Sequence, residues 1–517
     1  MNTFHKDFPW ALVIFFIILK LLFHFFTNTN YELHRDAFLY ISQGDHLAWG
    51  YISVPPLTAF LSKIFRILFG ESLFALRLLP ALFGGFSVFY ISLIVRALGG
   101  RNWALIIANT SFLFSIAYLR TNTLLQPVAI DLFFWLAGFY YILCLVKSRD
   151  VRYWLHLSIV FGVGFLNKYS IIFLATGFFF SLLFTGDRKL IWSKYFIYAI
   201  ILGIIIILPN LIWQYKHNWP VIYHMKMLNR YQLVNVRLTD FIIAQILMNL
   251  NAIFTWTVGL GFLIFHSKFK PYRIMGYVWV AVILILILAH GKHYYSLGLY
   301  SMLFAAGGVA FEQFIRPKFL LYANLVFCIV INLPLFPFGL PLLKHERMLS
   351  YCKTMTEIGL DMPMRWEDGK VHALPQDFAD MIGWKELADI VIDTYLNVPS
   401  AQRRFCYIYA ENYGQAGSIY FYGKKAGLPD PICFNGSFVL WAPEEVNDLK
   451  SLIYVNDEIH ELKPLFNNVE KVGEITNPYA RESGLPVWLC KNPSEEFYEL
   501  YKQRIQEEKD RFIRNSK

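Results

Sequence analysis

The chain has 517 residues, of which 56% are hydrophobic and 16% are charged, and its formal net charge at pH 7 is +10. Soluble globular proteins carry about a quarter charged residues, so this composition excludes a chain made only of soluble domains. The positive residues of the first two thirds lie mainly in short loops between apolar runs. That placement is typical of membrane topology and argues against a nucleic-acid partner.

Long apolar runs dominate residues 10–338, whereas residues 345–517 have the composition of a soluble domain. Runs of about 20 apolar residues predict transmembrane helices. We therefore predict a polytopic α-helical membrane protein, with a membrane domain over 1–343 that includes an outer loop over 28–72, and an α/β domain over 344–517. The eleven or so predicted spans are 10–27, 73–97, 103–118, 127–146, 153–167, 170–185, 194–215, 239–265, 274–290, 296–314 and 319–338.

The orientation follows from the charged loops. The first apolar run follows Lys6 and lacks a small-residue cleavage site, which predicts a retained helix rather than a signal peptide. Loops rich in lysine and arginine face the cytoplasm. They cover residues 96–101, 147–152, 187–194, 266–273 and 316–318. The N-terminus is then cytoplasmic, and an odd number of spans places the C-terminal domain on the extracytoplasmic side of the membrane.

The remaining loops fall on the outer face. They are 28–72, 120–126, 167–169, 216–238 and 290–295. The polar residues considered below lie in these loops or at the helix ends beside them. This clustering predicts an active site at the outer membrane surface.

The C-terminal domain shows alternating helical and strand patterns. A helix is predicted over 381–396, and the segment NYGQAG (412–417) leads into a second one. Short strands are predicted over 405–410, 438–441, 451–455 and 487–490, and the end, 495–517, is a charged helix or a loosely held tail. An extracytoplasmic location permits disulfides, but no pairing among Cys352, Cys406, Cys433 and Cys490 is selected by the sequence.

Asp36 is the central candidate. It lies in HRDAFLYISQGDHLAWGYISVPP (34–56), a segment too polar to lie in lipid. Ionisable residues at membrane sites are functional candidates by default. Asp36 could take the proton from an attacking hydroxyl as a general base, or pair with Arg35 and serve only topology. Asp45 and His46 are equally well explained as solvated loop residues or as site residues.

Asp131 stands at the predicted start of the fourth span. A carboxylate at a helix N-terminus is stabilised by the helix dipole. The alternative is an acceptor-site or metal-coordinating carboxylate, and a single aspartate does not decide between them.

Two lysines occupy outer positions, where the positive-inside rule predicts few. Lys168 lies in FLNKYS and Lys292 in HGKHYY. Lysines at helix ends often extend to the interface without a further role. A pair of them near tyrosines predicts an anion site suited to a lipid-linked phosphate. Arg77 and Arg120 could contribute, although Arg77 could also anchor the start of a span.

An outer helix end, PNLIWQYKHNWPVIYH (209–224), is rich in aromatic residues. Tryptophan there usually belongs to the interfacial belt, which is what we expect of Trp219. Stacking against a sugar ring is the alternative. The candidates in this segment are Asn210, Trp213, His217, Trp219 and His224.

Taken in order, these motifs resemble those of the GT-C glycosyltransferases, in particular the bacterial branch related to protein O-mannosyltransferases and lipid A aminoarabinose transferases. The resemblance covers nearly the whole chain, although no single motif is decisive. The matching motifs are Arg35–Asp36, Gly50–Tyr51 with Pro55–Pro56, Ala75–Leu76–Arg77, QPVAID (126–131), NKYS (167–170), PNLIWQ (209–214), GKHYY (291–295) and NYGQAG. Many relatives carry Asp-Glu in the first loop, where this chain has Asp36 and Ala37, and Asp131 is the candidate substitute for the second carboxylate.

The resemblance implies inverting transfer of a sugar from a polyprenyl-phosphate donor to an acceptor glycan, lipid or protein. It implies Asp36 as the catalytic base and Lys168, Lys292 and Arg77 as donor-phosphate ligands. The implied substrate-binding residues are Arg35, Tyr51, Asp131, Tyr169, His293, Tyr294 and Tyr295. No cofactor or metal is expected, although a divalent cation is not excluded.

Two other classes of function compete with transfer. A transporter or flippase of lipid-linked sugars would need polar residues near the membrane midplane and interrupted helices in two related halves, which the sequence does not display. A structural or assembly protein would have no need of Asp36, Lys168 and Lys292 as a set.

Overall fold

The computed structural model describes residues 8–231, 233–235 and 237–512. Lys6 and the last part of the predicted tail, 513–517, lie outside these ranges. The chain forms two compact units. The first comprises Met1–Asn28, Arg77–Leu211 and Met225–Leu342, and the second comprises Thr29–Leu76, Ile212–His224 and Leu343–Lys517. The second unit therefore includes the predicted outer loop as well as the C-terminal region.

The helices, in chain order, are α1 Trp10–Phe25, α2 Arg35–Asp45, α3 Leu57–Phe69, α4 Leu73–Ala97, α5 Asn102–Leu113, α6 Ile116–Thr121, α7 Pro127–Ser148, α8 Tyr153–Asn167, α9 Ile171–Leu183, α10 Lys194–Lys216, α11 Pro220–Tyr231, α12 Leu238–Met248, α13 Ile253–Phe265, α14 Arg273–Leu288, α15 Leu297–Gln313, α16 Lys318–Val330, α17 Phe336–Gly339, α18 His345–Glu357, α19 Gln376–Ala379, α20 Trp384–Asn397, α21 Tyr413–Gly423 and α22 Glu495–Phe512. The strands are β1 Cys406–Ala410, β2 Ser451–Val455, β3 Phe466–Glu474 and β4 Pro486–Pro493.

The first unit is built from apolar helices. Within the described residues, six helical segments are long and apolar enough to cross a membrane: Leu73–Ala97, Pro127–Ser148, Lys194–Lys216, Ser267–Leu288, His293–Gln313 and Lys318–Gly339. Three shorter apolar helices, α1, α8 and α9, and the bent pair α12–α13 also belong to it. The polytopic helical fold with a small C-terminal sheet is confirmed, while the count of eleven spans stays a prediction.

Two predicted spans are interrupted. The span over 103–118 is divided into α5 and α6, because Ser115 adopts an extended backbone between them. The span over 239–265 bends by 67° between α12 and α13. Asn249 is non-helical at this point, and the Asn251 side chain donates to the Ser111 carbonyl at 3.0 Å. The expectation of uninterrupted helices was therefore wrong here.

The second unit contains a four-stranded sheet of order β1-β2-β4-β3. β1 and β2 are parallel, and β4 is antiparallel to both of its neighbours. The prediction of a strand over 438–441 was wrong, since Gly436–Leu440 forms a 3-10 helix. β3 was missed because this edge strand is mostly polar and solvent-facing, as edge strands often are. No disulfide joins the six cysteines.

The predicted outer loop forms two helices, α2 and α3, within the second unit. They pack closely, since a Cβ on Gly44 would lie 2.9 Å from the Ala59 carbonyl oxygen. Asp45, at the end of α2, binds Arg66 of α3 at 3.1 Å and Lys424 at 3.2 Å, and accepts a hydrogen bond from the Tyr420 hydroxyl at 3.1 Å. The Asp45 carboxylate thus joins α2, α3 and α21 (with its flank).

Asp45→Asn is expected to lower the melting temperature in detergent near pH 7 by about 3 to 6 °C, as befits the loss of hydrogen bonds to a charged group. Burial alone would raise the pKa of Asp45, but Arg66 and Lys424 outweigh burial and hold that pKa below its usual value. A lowered folded-state pKa stabilises the fold above the unfolded value and loses that effect as the pH falls through the folded value.

The difference in melting temperature between wild type and Asp45→Asn should therefore begin to narrow below about pH 4, as the pH approaches the lowered pKa of Asp45. Thermal melts from pH 3.5 to 8 measure it. Asp430→Asn is the control, because the Asp430 side chain is 70% exposed and lies 3.9 Å from His46. A gap that does not change with pH would contradict the role of the charge.

Candidate active site

Lys168 is the centre of the polar group in the first unit. It occupies the extended turn between α8 and α9, where the helical hydrogen-bonding pattern ends. Its ammonium lies over the rings of Tyr295 and Tyr294, at 4.9 and 5.3 Å from their centroids. Burial lowers the pKa of Lys168, and the nearby Asp131 carboxylate opposes that shift while Lys292 adds to it. Lys168 is thus a partly desolvated positive charge that lies against two aromatic rings.

Asp131 is the acidic member of the same group. It lies in the second turn of α7 and is only 5% exposed. Its Oδ2 accepts a hydrogen bond from the Ser170 hydroxyl at 2.7 Å, whereas its buried Oδ1 accepts none from the residues that the structure describes. Because the effect of the helix dipole falls off within the first turn, that explanation does not fit this position. We call Asp131, Lys168, Ser170, Tyr294 and Tyr295 the Lys168 cluster.

The neighbouring predicted residues lie in adjoining segments of the first unit. Lys292 precedes the 3-10 turn His293–Ser296. The backbone carbonyl oxygen of His293 accepts a hydrogen bond from Gln245 Nε2 at 3.2 Å. The Tyr169 hydroxyl donates to Asn210 Oδ1 at 3.2 Å. These bonds fix the backbone and rings next to the Lys168 cluster.

Arg77 is buried inside the first unit, at 2% exposure. Its Nη1 donates to the carbonyl of Asn28 at 2.6 Å, which joins α4 to the segment after α1. A structural contact of this kind agrees with the anchoring alternative raised from the sequence. Its role at a donor phosphate stays a prediction, and Arg120 is exposed at the end of α6.

Asp36 belongs to a polar group in the second unit. It is the second residue of α2, and its backbone N–H donates to Nδ1 of His34 at 3.2 Å. Asp36 Oδ1 accepts a hydrogen bond from the Tyr413 hydroxyl at 2.7 Å. The Arg35 guanidinium lies over the Tyr413 ring, 4.7 Å from its centroid. The carboxylate is thus held in one orientation by a phenol from α21.

A further set of charged side chains surrounds the start of α2. His34 Nε2 lies 3.7 Å from Asp380 Oδ2, and Arg481 Nη1 donates to the same oxygen at 3.3 Å. Burial raises the pKa of Asp380, and His34 and Arg481 oppose that shift. Tyr51 is fully buried, and its hydroxyl donates to the Gln43 carbonyl at 2.7 Å. Tyr51 therefore supports the end of α2 rather than presenting its ring at a surface.

The predicted residues thus fall into two groups, one in each unit. The sequence analysis did not single out Tyr413, Ser170 or Asp380. The sequence could have indicated Ser170, because it is the last residue of the NKYS motif. Tyr413 was also marked by its motif, since NYGQAG combines a helix-capping asparagine with glycines that permit close packing. Nothing in the sequence around Asp380 distinguishes it from a solvated aspartate.

The first unit thus has a partly buried lysine packed against two tyrosines, and the second unit has an oriented carboxylate. Residues 53–213, about a third of the chain, match the family model described as dolichyl-phosphate-mannose-protein mannosyltransferase. The matched region contains Arg77, Asp131 and Lys168. A search of curated proteins found no match.

Solved structures share the fold across most of the chain. The crystal structure of ArnT from Cupriavidus metallidurans bound to undecaprenyl phosphate is 12% identical, with a TM-score of 0.59 and coverage of 93% of this chain and 98% of that one. The apo form of the same protein gives 13% identity, the same coverage and a TM-score of 0.58. An oligosaccharyltransferase from Archaeoglobus fulgidus, in complex with Zn and sulfate, gives 13% identity, coverage of 86% and 68%, and a TM-score of 0.48. The partial family-model match and the fold shared with ArnT agree with the resemblance to membrane glycosyltransferases that the sequence predicts.

Proposed function

We propose that this protein transfers a sugar from a polyprenyl-phosphate donor to an acceptor outside the cytoplasmic membrane. The observation that carries the proposal is the Lys168 cluster, in which a partly desolvated cation lies within an apolar helical unit. Such a group favours an anionic headgroup carried on a hydrocarbon chain. The undecaprenyl phosphate bound to the structurally similar ArnT belongs to that chemical class.

In the proposed step, an acceptor hydroxyl oxygen bonds to the anomeric carbon of the sugar. The bond from that carbon to the phosphate oxygen breaks, and polyprenyl phosphate leaves with the electron pair, so the configuration inverts. Asp36 takes the hydroxyl proton. Lys168 and Lys292 stabilise the negative charge that develops on the phosphate, an electrostatic effect that lowers barriers by several kcal/mol.

We further propose that the N-terminus is cytoplasmic and that the second unit is extracytoplasmic, in a bacterial inner membrane. The lysine- and arginine-rich loops support this orientation through the positive-inside rule. An extracytoplasmic acceptor would be lipid A, a polysaccharide or a protein hydroxyl.

The test is sugar transfer by purified protein in detergent, with a panel of polyprenyl-phosphate sugars and an acceptor extract from the cell envelope. Release of polyprenyl phosphate and incorporation of one sugar would support the proposal and identify the donor. Absence of both release and donor binding across the panel would overturn it.

One observation favours a second candidate, a flippase of lipid-linked sugars. The bend between α12 and α13 is an interrupted helix of the kind that transporters use at their binding sites. Liposome assays separate the two functions. Movement of a labelled lipid-linked sugar across the bilayer without chemical turnover would favour the flippase.

Treatment with EDTA is expected to leave the transfer rate within about twofold of the untreated rate, because lysine ammonium groups supply the positive charge at the phosphate. Among the described residues, no group of three or more His, Cys, Asp or Glu side chains could hold a metal ion. Transfer rates before and after chelation, and after adding back Mg²⁺ or Mn²⁺, measure this. Loss with EDTA and recovery with a cation would contradict the prediction.

A further inference from the structure

The NYGQAG segment builds the start of α21 around one side chain. Asn412 caps the helix, since its Oδ1 accepts from the backbone N–H groups of Gly414 and Gln415 at 2.9 and 3.1 Å. The Gln415 side chain accepts in turn from the N–H of Asn412 at 3.3 Å, which completes a capping box. The residue between the cap and the first glycine is Tyr413. Its backbone position is thus fixed by the helix start.

The glycines of the segment bring α21 against α2. A Cβ on Gly417 would lie 2.7 Å from Phe38 Cβ, and one on Gly414 would lie 3.3 Å from Arg35 Cβ. A larger residue at Gly417 would push the two helices apart. This close approach is what allows the Tyr413 hydroxyl to reach Asp36 at 2.7 Å.

A further carboxylate holds the same helix start. Glu482 accepts from Asn412 Nδ2 at 3.3 Å and from Gln415 Nε2 at 3.1 Å. The Arg35 guanidinium covers the Tyr413 ring on one face. Tyr413 is therefore constrained at its backbone, its ring and its hydroxyl.

We propose that Tyr413 is a positioning residue for Asp36, which holds Oδ1 of the carboxylate so that the base keeps one orientation toward an acceptor hydroxyl. This inference rests on the proposed function, in which Asp36 takes the acceptor proton. A phenol is suited to the task because it donates one hydrogen bond and has few rotatable bonds. Burial, together with the negative charge of Asp36, raises the pKa of Tyr413, so the hydroxyl keeps its proton across the physiological range.

The same pair of helices contains a matched contact with no proposed catalytic role. Tyr420 lies two turns further along α21, and its hydroxyl donates to Asp45 Oδ2 at 3.1 Å. Both contacts are tyrosine–carboxylate hydrogen bonds from α21 to α2. Tyr420→Phe therefore removes an equivalent structural bond and serves as the control for Tyr413→Phe.

Tyr413→Phe is expected to lower kcat by about 10- to 100-fold with the KM for donor unchanged, as befits loss of one hydrogen bond to a charged group. The acidic limb of its pH–rate profile should move up by about one pH unit, because a donor that favours the ionised carboxylate is gone. Tyr420→Phe should change neither quantity. Equal effects of the two substitutions, or no effect of Tyr413→Phe, would overturn the inference.

A second measurement does not depend on turnover. Infrared difference titration of protein labelled with ¹³C-aspartate follows the carboxylate bands, and Asp36→Asn identifies the band of Asp36. The titration midpoint of that band should rise in Tyr413→Phe and not in Tyr420→Phe. A wild-type protein without transfer activity would count against the proposed function, whereas an unchanged midpoint would overturn the Tyr413 inference.

Discussion

Asp36→Asn is expected to lower kcat for sugar transfer by about 10²- to 10⁴-fold, the usual contribution of a general base. The amide has nearly the same shape, and its oxygen can still accept the hydrogen bond that the Tyr413 hydroxyl donates at 2.7 Å. It cannot take a proton. The substitution therefore removes the chemistry and keeps the packing between α2 and α21.

Three quantities measure this effect: release of polyprenyl phosphate, binding of the donor, and the melting temperature in detergent. Donor binding and melting temperature should match those of wild type. Asp377→Asn is the matched control, because Asp377 also lies near His34, at 3.8 Å, but is outside the proposed chemistry. Normal turnover by a correctly inserted Asp36→Asn protein would remove Asp36 as the base.

Lys168→Met is expected to lower kcat/KM for the donor by about 10²- to 10³-fold, comparable to removal of one preorganised electrostatic contact to a transition state. Methionine keeps much of the apolar stem, so packing against Tyr294 and Tyr295 is largely retained. The substitution removes the positive charge, and the neighbouring Asp131 and Ser170 are not cations that could take its place.

Donor titrations of the transfer rate, combined with equilibrium binding of polyprenyl phosphate, locate the effect. Weaker binding would show that the Lys168 charge stabilises the bound donor in the ground state. A lower kcat with unchanged binding would show that the charge stabilises the departing phosphate in the transition state. Lys194→Met is the control, because Lys194 also lies over a tyrosine ring, 5.7 Å from the centroid of Tyr195, in a loop predicted to be cytoplasmic. Equal effects of the two substitutions would contradict a specific role for Lys168.

Local sequence pattern was sufficient to predict many of the helices of the first unit. Hydrophobic runs predicted the bounds of α4, α8 and α10 to within one residue of those observed. Such helices satisfy their backbone hydrogen bonds internally, so their position follows from their own composition. The interruption at Asn249 escaped prediction because the bend depends on buried polar contacts such as that from Asn251 to Ser111, 140 residues away.

The C-terminal sheet shows the same difference between elements that local pattern predicts and elements that depend on distant contacts. β1, β2 and β4 carry apolar residues that mark them as strands, whereas β3 is paired along its whole length with β4 and has little apolar signal of its own. The segment over 438–441 has apolar letters but forms a 3-10 helix, because no neighbouring strand pairs with it among the described residues. Strand formation requires a partner, and short apolar runs do not specify one.

By itself, the sequence determined the membrane class, the order of the helices, and the residues Asp36, Asp131, Lys168 and Lys292 as candidates, since each depends on composition or on a local motif. Only the tertiary structure decided which side chains meet: Asp131 with Ser170, and Asp36 with Tyr413, which lies 377 residues away along the chain. Such pairs depend on close approach of helices, here permitted by Gly417, and no local pattern encodes the partner that a glycine will face.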